Sequence, residues 1–426
     1  LHLLSRRQRQ MCIRDRVSCS VKDTQDVKIV NVSPVPELGS SKVSDRHLKN
    51  NETASVSGEY IPLNYDEQKS IWLSYIDLAP MLSGKNRNEF ENAFSEACNN
   101  IKNIGCNTLY VHVRSFGDAY YRSDYFPWSK GITGAVGNEP SFDPLEIMVN
   151  IAHNKGLSFH AWINPLRCET ESNMKQYPES CILKKWFSDS GNYGEYLVKV
   201  DNDDHYWLNP AVDEVRELIC CGVEELCENY KIDGIHIDDY FYPTTESYFD
   251  SETYIQAGAS MTLSDWRLDN CSKMVKEIHD TIKKVNKNIL FGVSPQGNIE
   301  NNYSYMYADV KKWCSTDGYI DYIVPQIYFG YENTAKPFEK TAEEWNEIAE
   351  SGNAKLVIGL APYKISDDSE FTDNIGIIAS QIKTSEKLKC YSGIALYNYI
   401  NIFCTQDSLS ERLDKEITEI TKALAE

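Results

Sequence analysis

Positive charge is scarce in this sequence: 43 lysines and arginines face 63 aspartates and glutamates, a formal charge of −20 at pH 7. Phosphate backbones and anionic lipid surfaces are held mainly by Lys and Arg, so the balance argues against both as partners. No CxxC pair occurs among the 13 cysteines, and eleven remain once Cys12 and Cys19 are set aside. An odd number without that spacing indicates neither a disulfide framework nor a zinc finger. Cys98, Cys106, Cys220, Cys221, Cys227 and Cys271 fall in expected helices and read as small buried hydrophobes. No apolar run approaches the roughly 20 residues needed to span a bilayer. No Gly-rich phosphate loop follows an early strand, as a doubly wound nucleotide-binding sheet would require. HxH and HExxH spacings are missing too, so no metal and no cofactor is expected.

The first sixteen residues (LHLLSRRQRQMCIRDR) hold five arginines and one acid and differ from everything after them. We read 1–16 as a sequencing or cloning scar and set it outside the fold. Val17-Ser18-Cys19-Ser20 looks like the tail of a lipoprotein signal, which makes Cys19 a candidate lipid anchor. Residues 17–69 are rich in Ser, Asn, Lys and Glu and carry Pro34, Pro36 and Pro62 without a sustained period. Such a segment reads as a disordered linker or tether.

From Ser70 the pattern changes. Eight apolar, β-branched runs stand at 70–76, 107–113, 157–163, 232–238, 289–294, 320–328, 355–361 and 393–399. Amphipathic stretches follow them, including 86–104, 143–155, 211–229, 265–286, 340–351 and 408–424. Eight β–α alternations with nothing left over predict an α/β fold, a TIM (β/α)8 barrel spanning 70–426. The length beyond an ordinary barrel lies mostly in 114–142 and 164–209, the βα loops after strands 2 and 3, on the face where barrel active sites form.

Alternate residues of a barrel strand face the lumen. In the fourth run, Ile235 and Ile237 suit the helix side, which turns His236 and Asp238 inward and leaves Asp239 to begin the loop. Adjacent acids at a strand end can divide acid and base roles, one raised by its neighbour's charge. The same parity sends His112 and Arg114, and then His160, Trp162 and Asn164, inward. Asp118, Tyr120, Tyr121 and Trp128 follow the second run, Tyr240 and Tyr242 the fourth, while Gln326 and Tyr328 end the sixth and Tyr397 and Tyr399 the eighth. Tyrosines, tryptophans and amides around a few carboxylates suit a sugar, whose C–H face stacks on rings while its hydroxyls bond amides and acids. His112, His160 and His236 at similar depth also leave open a zinc-dependent deacetylase, though packed lumen histidines are the commoner arrangement.

Several segments together resemble a bacterial family, the glycosyl-hydrolase-like family 10 proteins, also known as domain of unknown function 187. They are IWLSYIDL (71–78), VRSFGDAYYRSDYFPW (113–128), HAWINP (160–165), LNPA (208–211), DGIHIDDYFYP (233–243), FGVSPQG (291–297) and IDYIVPQIY (320–328), in the family's order. The resemblance implies a TIM barrel in the cell envelope acting on bacterial surface glycan, with peptidoglycan strands as substrate. It places Asp238, Asp239 and Asp118 as the acids and Arg114, Asn164, Gln326 and Tyr328 in the cleft. DGIHIDDY is also similar to the strand-4 motif of family 18 chitinases, but Tyr240 stands where those enzymes carry their acidic glutamate. Asp77 is the alternative second carboxylate to Asp118. A glycan-binding barrel without catalysis would keep the aromatic residues yet tolerate loss of Asp238 and Asp239.

Overall fold

The structure, a computed structural model, describes residues 60–366, 368–404 and 410–425. The scar, Cys19 and the tether up to residue 59 lie outside the described residues. The barrel strands are β1 (Gln68–Leu73), β2 (Thr108–Arg114) and β3 (Ser158–Ile163). An inserted trio follows: β4 (Arg167–Thr170), β5 (Leu197–Lys199) and β6 (His205–Leu208). The barrel resumes with β7 (Gly234–Ile237), β8 (Leu290–Val293), β9 (Tyr322–Ile323), β10 (Lys355–Leu360) and β11 (Tyr391–Leu396). Eight parallel strands close in the order β1-β2-β3-β7-β8-β9-β10-β11, and β11 pairs back onto β1. This is the (β/α)8 barrel that the alternation of runs predicts.

The helices form where period and caps coincide. Helix Arg87–Asn103 begins with a reciprocal capping box between Asn86 and Glu89 and buries Phe90, Phe94, Ala97, Cys98 and Ile101 along one stripe. Helix Leu263–Val285 starts at Thr262, whose hydroxyl accepts from the Asp265 amide. Cys98, Cys106, Cys227 and Cys271 are buried as small apolar side chains, whereas Cys220 and Cys221 are half-exposed. The loop after β3 holds an element that the sequence pattern did not reveal, the antiparallel sheet β4-β6-β5. Its strands are only three to four residues long, too short to show alternation.

Residues 60–69, which composition alone assigns to the tether, are bound to the barrel. Tyr60 Oη and the Leu63 amide both donate to Oδ1 of Asp233, each at 2.5 Å. Oδ2 of Asp233 takes the Phe159 amide at 2.7 Å and meets His153 Nε2 at 2.8 Å. Asn286 holds the Tyr60 carbonyl and Tyr65 Oη donates to the Gly156 carbonyl. Residues 60–69 are thus fastened across the amino-terminal face of the barrel. Hydrogen bonds, those of Tyr60 and Leu63 to a fully buried aspartate among them, hold the part before β1.

The lumen is packed with rings. Trp72, Tyr110, Trp162 and Tyr322 form a cluster separate from the main core, with Val324, Val357 and Ala395. Glycine makes this possible: a Cβ at Gly292 would stand 2.0 Å from the Tyr322 ring, and one at Gly234 would stand 2.5 Å from the His160 ring. Trp72 Nε1 donates to His236 Nε2 at 3.1 Å, His236 Nδ1 lies 3.1 Å from Tyr322 Oη, and Tyr322 Oη lies 2.7 Å from His160 Nδ1. An indole can only donate, so His236 carries its proton on Nδ1 and passes it toward Tyr322, whose phenol donates to His160. Burial holds both imidazoles below their usual range, His160 at about 4.

Candidate active site

The lumen opens at the carboxyl ends of the strands, and there β7 presents its two acids. Asp238 is 4% exposed. Its Oδ2 accepts from Trp162 Nε1 at 3.1 Å, and its Oδ1 accepts from the Tyr240 amide at 3.3 Å. Burial first, and the charge of Asp239 second, push this carboxyl well above the usual carboxylate range, against the opposing pull of Tyr240, Trp162 and Arg167. Asp239 is half-buried and accepts from two side-chain amides, Gln296 Nε2 at 3.2 Å and Gln326 Nε2 at 3.3 Å. The backbone of Gln296 is itself pinned by Asn302, and the Gln326 amide also donates to the Ser294 carbonyl. The pair therefore offers a carboxyl raised above the usual carboxylate range beside a more accessible acid held in register by two glutamines.

Rings wall the mouth on two sides. The Arg167 guanidinium lies between the Phe116 ring at 4.8 Å and the Tyr240 ring at 4.7 Å. Phe116 touches Tyr75 at 4.9 Å and stacks on His205 at 5.1 Å, and Trp207 lies 5.8 Å from Tyr240. On the opposite side Tyr328, Tyr363 and Tyr397 meet one another at centroid distances of 5.9 to 6.0 Å. Rings, amides and an acid of raised pKa can hold a sugar, bond its hydroxyls and donate a proton to a glycosidic oxygen.

Of the residues expected at the site, Asp238, Asp239, Tyr240, Gln326 and Tyr328 gather at this mouth. Others do not. Asp118 is buried in the loop after β2, where Oδ1 accepts from the Ser115 and Phe116 amides. Its hydrogen bonds go to that loop, because a short acid just beyond a strand readily folds back onto its own backbone, and its charge is felt by Glu169 and Tyr177 of the loop after β3. Asp77 is fully buried and takes donors from Ser74, Asn398 and Ile400, with burial pushing its carboxyl up to about 6. It joins the ends of β1 and β11 and is not a cleft acid.

Arg114 fails the parity expectation. The β2–β3 register shifts between His112 and Arg114, so Arg114 pairs with Ile163 and turns toward the helices. It packs over Phe126 at 4.4 Å and against Gly222 of helix Asp213–Asn229. Tyr120 is buried beneath the loop at Gly131, and Tyr242 is buried among Phe249, Tyr307 and Arg267. Trp128 pairs by backbone with Ala119 and packs on the outer core. His160 and His236 form the floor, with both His236 ring nitrogens and His160 Nδ1 committed to Trp72 and Tyr322. Asn164 ties β3 to the Ser115 carbonyl, and Trp162 turns its N–H to Asp238.

Arg167, Gln296, Phe116, His205 and Tyr363 were not singled out by parity. Gln296 carried a signal, since it sits in FGVSPQG just past β8. Arg167 carried one as well, as the first cation after HAWINP in an acidic chain. His205 and Tyr363 carried none, because long loops set their positions.

A closed parallel barrel with paired carboxylates at the fourth strand end and an aromatic mouth is the architecture of TIM-barrel glycoside hydrolases. The family described as Glycosyl hydrolase-like 10 matches residues 67–375, and the chain belongs to that family. The chain is 32% identical over 325 residues to Glycosyl hydrolase YngK of Bacillus subtilis, covering 71% of this chain and 62% of the relative. It is 30% identical over 390 residues to Glycosyl hydrolase DigH of Escherichia coli K12, covering 80% of this chain and 85% of the relative. Among solved structures, the PgaB (BpsB) glycoside hydrolase domain of Bordetella bronchiseptica is similar, with a TM-score of 0.54 at 10% identity, covering 82% of this chain and 99% of that one. The catalytic domain of a Paenibacillus polymyxa β-amylase is similar with a TM-score of 0.55 at 14% identity, covering 83% and 99%. At these identities the two structures speak to the fold alone.

Proposed function

We propose that this protein hydrolyses glycosidic bonds in bacterial cell-wall or surface polysaccharide, with peptidoglycan glycan strands as its substrate. The observation that carries the reading is the division of labour at β7. Asp238 is buried, raised and aimed by Trp162, whereas Asp239 is more accessible and held by Gln296 and Gln326. In this reading Asp238 gives its proton to the leaving glycosidic oxygen as the C–O bond breaks, and Asp239 supplies negative charge to the oxocarbenium-like centre. Tyr240, Tyr328, Tyr363 and Tyr397 hold the sugar rings. An envelope location, with a lipid on Cys19, belongs to the same proposal, and the acidic surface suits a polysaccharide partner rather than nucleic acid. The test is incubation with purified wall glycans, with and without stem peptides, followed by mass analysis of the products. New reducing ends support the proposal. Acetate release without chain cleavage points to a deacetylase, and tight binding without any product points to a glycan-binding barrel.

A further inference from the structure

We infer that Trp162 is a positioning residue: its indole N–H, locked by a stack on His112, fixes Asp238 through Oδ2 and leaves the transferable proton on Oδ1. The inference rests on the proposed role of Asp238 and adds to it a device that sets which oxygen is the acid. Trp162 and His112 lie face to face, with centroids 3.8 Å apart and planes 4° from parallel. On its other side the indole meets His236 edge-on at 6.4 Å. Tyr75 closes on His112 at 5.7 Å. Wedged this way, in a lumen where Trp162 is 5% and His112 is 2% exposed, the indole cannot turn its N–H elsewhere without unstacking.

Neither ring nitrogen of His112 makes a well-aligned hydrogen bond among the described residues, although the Asn164 side chain stands beside the ring, and burial holds the imidazole well below its usual range. It therefore serves the stack as a flat, uncharged surface rather than as an acid or a ligand. Indole nitrogen is a donor only, so the Asp238 oxygen that it meets is held as an acceptor. Among the described residues the other oxygen accepts only from the Tyr240 amide, at the longer distance of 3.3 Å, on the side of a half-exposed cleft residue.

The test needs a readout that does not depend on turnover. With 15N-labelled tryptophan, the indole signals of the chain's eight tryptophans can be followed against pH, and loss of one signal in Trp162→Phe assigns it. That signal should move as Asp238 ionises, with a midpoint above the ordinary carboxylate range, and should cease to move in Asp238→Asn. Trp162→Phe keeps a ring on His112 but removes the donor, which opposes the upward shift of Asp238. Its kcat should fall roughly 10- to 100-fold, the usual worth of a hydrogen bond to an ionisable partner. The alkaline limb of its pH–rate profile should move to higher pH. Trp72→Phe, which loses a donor to His236 one layer below, should leave that limb in place. A Trp162 signal that does not titrate, or that titrates equally in Asp238→Asn, overturns the inference, as does an unshifted limb in Trp162→Phe. A titrating signal in a protein that cleaves no glycan overturns the hydrolase reading instead.

Discussion

Replacing Asp238 by Asn should move activity and stability in opposite directions. The amide keeps the shape of the carboxyl, and its oxygen can still accept from Trp162, but it has no acidic proton to give and carries no charge. Turnover should fall on the order of 10²-fold or more, the usual contribution of a general acid. Stability follows from linkage. The folded state raises the Asp238 carboxyl above its unfolded value. As pH rises from the ordinary carboxylate range to that raised value, the unfolded chain releases a proton that the folded chain retains. Wild-type stability therefore drops across this window and stays lower above it. The Asn variant bears no such cost, so it should match wild type below the window and melt higher above it. In a chain of this size each kcal/mol recovered raises Tm by about 1–2 °C. Thermal melts of both proteins from acid to mildly alkaline pH, alongside reducing-end assays on wall glycan, measure the two effects. A variant with full turnover refutes the acid role, and a Tm difference independent of pH refutes the buried-proton argument.

Asp239→Asn should also cut turnover by about 10²-fold, with glycan binding measured by co-sedimentation retained through the tyrosines. Asp118→Ala should instead leave the buried Ser115 amide and the part-buried Phe116 amide without an acceptor, costing about 1–3 kcal/mol in urea unfolding while kcat of the folded protein stays within a few-fold of wild type. Tyr60→Phe should lower stability by about 1–2 kcal/mol without changing kcat or KM, because its hydroxyl meets Asp233 on the face opposite the cleft. Treatment with EDTA should leave hydrolysis intact, and chelator-sensitive acetate release would reverse the choice between hydrolase and deacetylase.

The barrel was legible because its signals are local and repeated. Helices expected at 86–104 and 143–155 form at Arg87–Asn103 and Pro144–Asn154, where period and cap agree. Parity succeeded at β7, an unbroken strand, and put Asp238 in the lumen. It failed at β2 because one shift of register reverses every side chain beyond it, and no residue type at Val113 announces the shift. The run at 320–328 yields only the two-residue strand Tyr322–Ile323, since Pro325 has no amide to give the ladder. The acids show the deeper limit. Asp118 and Asp239 both stand just past a strand end, and only the contacts of the folded chain show one bonded to its own loop and the other to glutamines just past β8 and β9. Arg167 and His205 come together through a sheet of short strands that carries no period to read.

The strap at Tyr60 has a mechanical consequence. Asp233, which it grips, begins the very strand whose far end bears Asp238, and at about 3.3 Å per residue the two aspartates stand roughly 17 Å apart along it. Whatever precedes Tyr60 is thus attached at the base of a cup whose rim is the cleft. A pull from upstream is delivered along the stiffest direction of the barrel, through hydrogen bonds to a buried carboxylate, and reaches the rim as a push or pull on one strand rather than as a hinge across the mouth.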